Sequence, residues 1–289
     1  MTLSINDCTE LRKICKKAGE IIVNCSRVAE LKTDGTDITE ADKASHKYLT
    51  EKLKELFGED VQILSEEGTP EDHQALQFDE DRLTFVIDPL DGTSNFKNGS
   101  NHFAVLLGVL RGRKPVYGVI SLPAFDAVIS GGPDISFYWE RKNKQVHLSR
   151  PYTSTDKVMV PSRFLGAEQD FADFYKELSE FQEITGLQKM VGSAHILSRL
   201  TPVLDAGSRR FYMASKPNQR PGDWDIAAFD AILQSRGGII TNRFGDPIKY
   251  GMLNKGFKHQ SIVSWPTAES AQAHRHEVIY TRIKAPNSR

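Results

Sequence analysis

The chain has 289 residues, of which 39% are hydrophobic and 26% charged, and its formal net charge is -1. That length supports one large domain or two modest ones with substantial cores. The balanced charge excludes the global basic footprint of a nucleic-acid binder and leaves room for a local patch that meets a small anion.

The N-terminal stretch lacks the continuous apolar run of a secretory leader, and the longest apolar run, near Ala104 to Leu110, is far too short to span a bilayer. The expectation is a cytoplasmic protein with no membrane partner. Leu11, Ile14, Cys15, Ala18, Ile21, Ile22 and Cys25 recur at helical spacing and predict a first helix. Cys8, Cys15 and Cys25 all fall on it, about 10 Å or more apart along the axis, which is beyond disulfide reach. They read as reduced thiols. Asp34-Gly35 marks a turn, and a second helix is expected from Thr39 to about Phe57.

Val61 to Leu64 reads as a short strand leading into Ser65-Glu66-Glu67-Gly68, followed by a polar connection to Arg82. Thr84 to Ile87 reads as a buried strand ending at Asp88. Phe103 to Leu110 and Val116 to Leu122 read as paired strands around the turn Arg111-Gly112-Arg113-Lys114. The Gly- and Pro-rich stretch Ser130 to Pro151 suggests a domain boundary near its end, giving an N-terminal domain 1–151 and a C-terminal domain 152–289.

In the second half, Val158 to Val160, Lys189 to Val191, Arg210 to Met213 and Ile239-Ile240 are strand-like. Helices are expected over Ala167 to Phe181, from Gly192-Ser193 to Gly207, and from a cap at Asp223 through Leu233, closed by Gly237-Gly238. Strands alternating with helices throughout predict a layered α/β sandwich.

Four acidic positions sit where predicted elements start or stop. Glu66 follows one strand, Asp88 and Asp91 follow another, and Asp225 and Asp42 fall in the first turns of helices. Carboxylates at strand ends of an α/β layer point toward the crevice where ligands bind. Magnesium is a hard cation that takes carboxylate and carbonyl oxygens, and a pair of such ions can clamp the attacking and leaving oxygens of a phosphate ester. In Asp88-Pro89-Leu90-Asp91-Gly92-Thr93, the two carboxylates and the Leu90 carbonyl suit that task. Gly92 permits close backbone approach, Thr93 offers a hydroxyl to orient water, and the amides of Gly92 and Thr93 suit a phosphate. Each piece alone has an ordinary reading. Asp91-Gly92 is a common turn, Thr39-x-x-Asp42 is a capping box as readily as a catalytic pair, Glu66-Glu67 is a solvated surface pair, and Asp225 a helix-dipole partner.

Taken together, the motifs resemble the lithium-sensitive, magnesium-dependent phosphatases that include inositol monophosphatases and 3'(2'),5'-bisphosphate nucleotidases. They are Thr39-Glu40-Ala41-Asp42, Leu64-Ser65-Glu66-Glu67-Gly68, Asp88 through Phe96, Gly192-Ser193-Ala194 and Gly222-Asp223-Trp224-Asp225-Ile226-Ala227-Ala228. The resemblance implies an alternating αβαβα sandwich of the sugar-phosphatase type, holding two or three magnesium ions. It implies Glu66, Asp88, Asp91, Asp225 and the Leu90 carbonyl as metal ligands. Thr93, Glu66 and Asp42 would activate water, while Gly92, Thr93, Ser193, Ala194 and Asp225 would meet the substrate, a small phosphorylated metabolite. A homodimer is compatible with it.

Asp42-Lys43-Ala44-Ser45-His46, and Gly245 to Tyr250 followed by Leu253 to Phe257, resemble the nucleotidase branch called CysQ. Ser94-Asn95-Phe96 is closer to the inositol monophosphatase form, and the segments around Ala194 and Met213 to Arg220 depart from CysQ. Arg209, Arg210, Lys216 and Arg220 are candidates for a second phosphate, and each singly reads more simply as a solvated charge. Three functions follow as expectations. The first is a nucleotidase acting on adenosine 3',5'-bisphosphate. The second is an inositol or broad sugar-phosphate phosphatase. The third is a non-catalytic ligand sensor, disfavoured because a sensor needs no water activator.

Overall fold

A computed structural model describes residues 3–31, 37–146, 157–161, 188–192, 210–214, 220–259 and 261–284, of which 157–161, 188–192, 210–214, 261 and 277–284 are described by their backbone. The chain forms two compact units. The first comprises Met1–His147 with Gly222–Ser235 and Lys249–Phe257, and the second Leu148–Pro221, Arg236–Ile248 and Lys258–Arg289. The first unit is thus discontinuous: one helix and one later loop join it from far along the chain, where the sequence reading drew a single break near residue 151.

In the first unit, α1 (Ile5–Asn24) starts at a capping box in which Ser4 and Asp7 bond each other's amides. Its stripe of Leu11, Ile14, Cys15, Ala18 and Ile22 is buried. Cys25 lies just past its end as the C-cap, and all three cysteines are free thiols. A short ribbon follows, β1 (Ala29–Leu31) antiparallel to β2 (Asp37–Thr39). Thr39 then caps α2 (Glu40–Phe57), which stops at Gly58 with φ 96°.

The unit is built on a seven-stranded sheet. Its strands, in spatial order, are β3 (Gln62–Ser65), β4 (Leu83–Asp91), β5 (Ala104–Arg111), β6 (Lys114–Leu122), β7 (Ala127–Gly132), β8 (Ile135–Arg141) and β9 (Lys144–Gln145). Only β3 and β4 run parallel, and the other neighbours are antiparallel. Two short helices interrupt the run, α3 (Pro70–Ala75) and α4 (Thr93–Lys97).

Two expectations are corrected here. The Gly- and Pro-rich stretch that begins at Ser130 starts as sheet: Gly131 and Gly132 continue β7 because β6 and its neighbours leave no room for a side chain. A Cβ on Gly132 would come within 2.1 Å of the Val116 carbonyl oxygen. The connection between Ser65 and Arg82 contains α3, opened by Thr69 and Asp72 in a capping box with Pro70 in the first turn.

The two faces of the sheet are covered by different helices. Phe85, Ile87, Val105, Leu107, Val109, Tyr117 and Val119 face α1 and α2 in one hydrophobic core. A fully buried aliphatic or aromatic side chain of this kind stabilises by about 1.5–3 kcal/mol. The alternate residues face the last helix of the unit, α5 (Asp223–Gln234). There Gly108, Gly118 and Gly131 lie directly opposite one another on β5, β6 and β7, forming a lane without side chains. The helix lies in that lane: Cβ atoms added at Gly108 and Gly118 would come within 2.7 Å of Ala227 Cβ and 2.2 Å of the Ala228 carbonyl oxygen. The small residues of the Ile226-Ala227-Ala228 run are what allow so close an approach.

The N-cap of α5 is Gly222 instead of Asp223. Asp223 is fully buried and accepts from the Gly251 amide at 2.6 Å, so its carboxylate holds the returning loop. Tyr250 of that loop donates to Asp230 at 2.9 Å, and Arg113 donates to the Tyr250 carbonyl at 2.9 Å.

The second unit carries a five-stranded mixed sheet. β10 (Lys157–Pro161) lies parallel to β11 (Gln188–Gly192) and to β12 (Arg210–Ala214). The strand β14 (Ser261–Trp265) pairs antiparallel with β12 and with β13 (Ile239–Thr241). The strand β14 and the helix α6 (Ala268–Lys284), which packs on β13 and β14, add to the elements read from sequence. Trp265 is buried and donates to Thr241 Oγ1 at 2.7 Å. The helices expected over Ala167–Phe181 and from Gly192 to Gly207 lie outside the described residues. Among the described residues, no helix is long and apolar enough to cross a membrane.

Candidate metal centre

The strand β4 continues through the Asp88–Asp91 segment, where the sequence reading ended it at Asp88. Asp88 stands opposite Leu106 and Asp91 opposite Ala104, so three steps along β4 match two along β5. The extra residue is a bulge, and it reverses the alternation of side chains. Residues three apart in a regular strand point to opposite faces, but these two carboxylates point to the same one, the face covered by α5. Pro89 is tolerated because the ladder with β3 has already ended at Ser65 and Ile87, so no donor is needed there. Ser45 Oγ of α2 donates to the Pro89 carbonyl at 2.8 Å, and the Leu90 amide donates to Asp88 Oδ1 at 3.0 Å. These bonds hold the bulge from both sides.

Asp225 enters from the first turn of α5, with its Oδ2 accepting from the Gly222 amide at 2.6 Å. Asp88, Asp91 and Asp225 each offer an oxygen within 4.8 Å of the others. Asp88 is only 2% exposed. Burial raises its carboxyl well above the ordinary value, and the charges of Glu66, Asp91 and Asp225, with a side-chain hydrogen bond to Glu66, raise it further. Such a cluster of hard anionic oxygens opposes its own ionisation unless a cation joins it. The donor set fits a hard divalent ion.

Gly92, with φ 89° and ψ 36°, turns the chain out of β4 into α4 in a backbone conformation that favours glycine. A Cβ there would come within 2.8 Å of the His102 carbonyl oxygen, which already accepts from Asn95 Nδ2 at 2.8 Å. The turn delivers Thr93 Oγ1 to 3.0 Å from Asp42 Oδ1 and 3.1 Å from the Leu90 carbonyl oxygen. Asp42 is buried, and its Oδ2 accepts from the Thr39 amide at 2.7 Å and the Thr39 hydroxyl at 2.5 Å. The capping and catalytic readings of Asp42 are therefore compatible. One oxygen caps α2, and the other is bonded to Thr93.

The sequence profile of the inositol monophosphatase family matches residues 7–280. The chain belongs to the inositol monophosphatase family. It is 29% identical over 224 residues to the 3'(2'),5'-bisphosphate nucleotidase CysQ of Haemophilus influenzae, covering 76% of this chain and 77% of that one. It is 28% identical over 256 residues to the fructose-1,6-bisphosphatase/inositol-1-monophosphatase of Aquifex aeolicus, covering 86% and 90%. Among solved structures, inositol monophosphatase-II of Staphylococcus aureus MSSA476 superposes with a TM-score of 0.68 at 18% identity, covering 98% of both chains. These comparisons establish a phosphatase of the inositol monophosphatase family with its mixed α/β fold.

Within this family member, Asp88, Asp91 and Asp225 converge, Glu66 is bonded to Asp88, Leu90, Gly92 and Thr93 form the adjoining turn, and Asp42 of α2 accepts from Thr93. Ser193, Ala194, Arg209 and Lys216 lie outside the described residues, Arg210 is described by backbone alone, and Arg220 is exposed. Sequence reasoning missed Ser45 and Asn95, which pin the carbonyls of Pro89 and His102. It also missed the glycine lane under α5. Ser45 and Asn95 were within motifs already singled out, but their acceptors are backbone atoms that no sequence pattern displays.

Proposed function

We propose that this chain is a magnesium-dependent 3'(2'),5'-bisphosphate nucleotidase, removing one phosphate from adenosine 3',5'-bisphosphate to give AMP. The observation that carries the chemistry is the hydrogen bond from Thr93 to Asp42 beside the Asp88, Asp91 and Asp225 cluster. Glu66, Asp88, Asp91, Asp225 and the Leu90 carbonyl would hold two or three magnesium ions. Bound there, such ions supply charge neutralisation to the ester and acidify water. Thr93 Oγ1 orients the attacking water and accepts its proton as its own passes to Asp42 Oδ1. Glu66 assists as a second acceptor. The buried carboxylate of Asp42 is kept in position by its two bonds from Thr39. The amides of Gly92 and Thr93 receive the phosphate, and Asp225 meets the remainder of the substrate.

The similarity to CysQ, and the Asp42-x-Ala44-x-His46 pattern, support the nucleotide substrate. The Aquifex relative and the Ser94-Asn95-Phe96 form favour a second reading, an inositol or sugar-phosphate phosphatase. The test is phosphate release by purified protein with magnesium, comparing adenosine 3',5'-bisphosphate and inositol 1-phosphate side by side. Turnover of the nucleotide in preference to the inositol phosphate is expected. Efficient turnover of inositol 1-phosphate with the nucleotide untouched reverses the order of the two readings. Inhibition by millimolar lithium, a cytoplasmic location and a homodimer belong to the same proposal. Lithium titration, fractionation and light scattering test them in turn.

A further inference from the structure

Glu66 occupies the second position of a tight turn, and that turn is held by two histidines with no assigned role. The Gly68 amide donates to the Ser65 carbonyl at 3.1 Å, which closes Ser65 to Gly68 into a β-turn. The Ser65 hydroxyl oxygen accepts from the Glu67 amide at 3.2 Å. On one flank the Glu66 amide donates to the Ile87 carbonyl at 3.1 Å, which ties the turn to β4 one residue before Asp88. His46 reaches the opposite flank from α2, and its Nδ1 shares a hydrogen bond of 2.8 Å with Ser65 Oγ. His73 reaches it from α3, and its Nε2 lies 2.8 Å from the Ser65 carbonyl oxygen. A carbonyl only accepts, so Nε2 carries the proton there.

The approach of His73 is built in. A Cβ on Gly68 would come within 2.8 Å of His73 Nε2, so a side chain at that position would push the ring off the carbonyl. The His73 ring is also packed against Trp224 at 6.1 Å and Phe257 at 5.4 Å between centroids. Trp224 immediately precedes Asp225 in α5. Ser65 itself is only 2% exposed, so its hydroxyl and carbonyl depend on protein partners. His46 acts on the hydroxyl and His73 on the carbonyl of Ser65, the residue just before Glu66.

We infer that His46 and His73 are positioning residues that fix the Ser65–Gly68 turn, and through it the Glu66 carboxylate against Asp88. The inference rests on the reading of Glu66 as a metal ligand. Partners that orient a metal-binding side chain typically change metal affinity or activity by about 10–100-fold when removed.

The experiment is calorimetric titration of metal-free protein with magnesium or manganese alone, alongside thermal unfolding, so that no turnover is needed. His46→Ala and His73→Ala are expected to weaken binding about tenfold. His46→Asn and His73→Gln, which restore a nitrogen near the lost one, are expected to recover most of that loss. Ser65→Ala, which removes the hydroxyl without opening a large void, carries the test if either alanine variant fails to fold, and it is expected to weaken binding similarly. Glu66→Gln separates the two readings. If it leaves metal affinity unchanged, the ligand assignment of Glu66 fails. If it weakens binding while the histidine and Ser65 variants bind as the parent does, the positioning inference alone is overturned. Loss of affinity that tracks loss of thermal stability, without recovery in the Asn and Gln variants, also overturns it.

Discussion

Asp88 and Asp91 present their carboxylates to the same face of the sheet because a one-residue bulge separates them. Asp88 pairs with Leu106 and Asp91 with Ala104, two residues that share a face of β5. Without the bulge, one carboxylate would lie in the hydrophobic core among Ile87, Val105 and Leu107. An unpaired charge there would be costly enough to shift its protonation or unfold the unit. The bulge therefore places the acidic pair and protects the opposite core.

Asp88→Asn tests what the pair does. Removing one charge from a cluster that repels itself is expected to leave the fold intact and the metal-free protein at least as thermally stable as the parent. Magnesium-dependent phosphate release is expected to fall by about 10²–10³-fold or more, the scale of losing a principal electrostatic element of a site. Unchanged turnover would remove Asp88 from the metal site.

The same carboxyl gives a pH dependence with a definite sign. Asp88 is held well above its ordinary value in the folded chain. Below the unfolded pKa, about 3.9, both states keep the proton and the group is neutral in its effect. As pH rises past that value, the unfolded chain releases a proton that the folded chain retains, and stability falls until the folded pKa is passed. The stability of the parent relative to Asp88→Asn, measured without metal by urea unfolding, is therefore expected to fall from pH 4 upward, so that the variant's advantage widens. Magnesium, binding the ionised cluster, should raise the melting temperature of the parent more at pH 8 than at pH 5. An equal increment at both values would disconnect metal binding from this carboxyl.

Thr93 and Asp42 form the second half of the site. Thr93→Ala removes the hydroxyl that bonds to Asp42 and Leu90. Loss of a positioned proton-transfer group costs about 10²–10⁴-fold in rate, and kcat should carry the effect. Thr93→Ser keeps the hydroxyl and should retain most activity. If Ala and Ser behave alike, the hydroxyl takes no part in the chemistry.

Part of this site was legible in the chain and part was not, for physical reasons. Thr39-x-x-Asp42 is a local pattern, since a capping box is made within one helical turn, and the structure shows it as written. Asp88-x-x-Asp91 was visible as a motif, but its facing was not, because a bulge is defined by the partner strand and not by the bulged one. No strand was read over Ala127 to Gly132, since glycine is a turn signal in isolation; in the sheet Gly131 and Gly132 are required by backbone and side-chain atoms approaching from β6 and the end of α5. The capping residues Thr69 and Asp72 with Pro70 were sufficient to mark α3, yet the helix is only six residues long and has no apolar stripe. The discontinuity of the first unit rests on α5 crossing back onto β4 to β7, a long-range packing choice with no local signature.

The glycine lane is where that long-range choice can be tested. Gly118 sits beneath the first turns of α5, and a Cβ on it would lie 2.2 Å from the Ala228 carbonyl oxygen and 2.9 Å from its Cα. Those are backbone atoms, so no side-chain rotation relieves the clash and the helix itself must rise. Overpacking of this kind costs about 1–3 kcal/mol. Asp225 lies three residues before Ala228 on the same helix, so the displacement is carried to the acidic cluster. Gly118→Ala is expected to lower the urea midpoint and to weaken magnesium binding together. Gly99→Ala is a control elsewhere in the unit: Gly99 also has a positive φ, 77°, but the nearest atom is an arginine nitrogen at 3.8 Å. It should lose some stability through backbone strain and keep the metal affinity of the parent. If Gly118→Ala binds magnesium as the parent does, the lane supports packing alone and the placement of Asp225 does not depend on it.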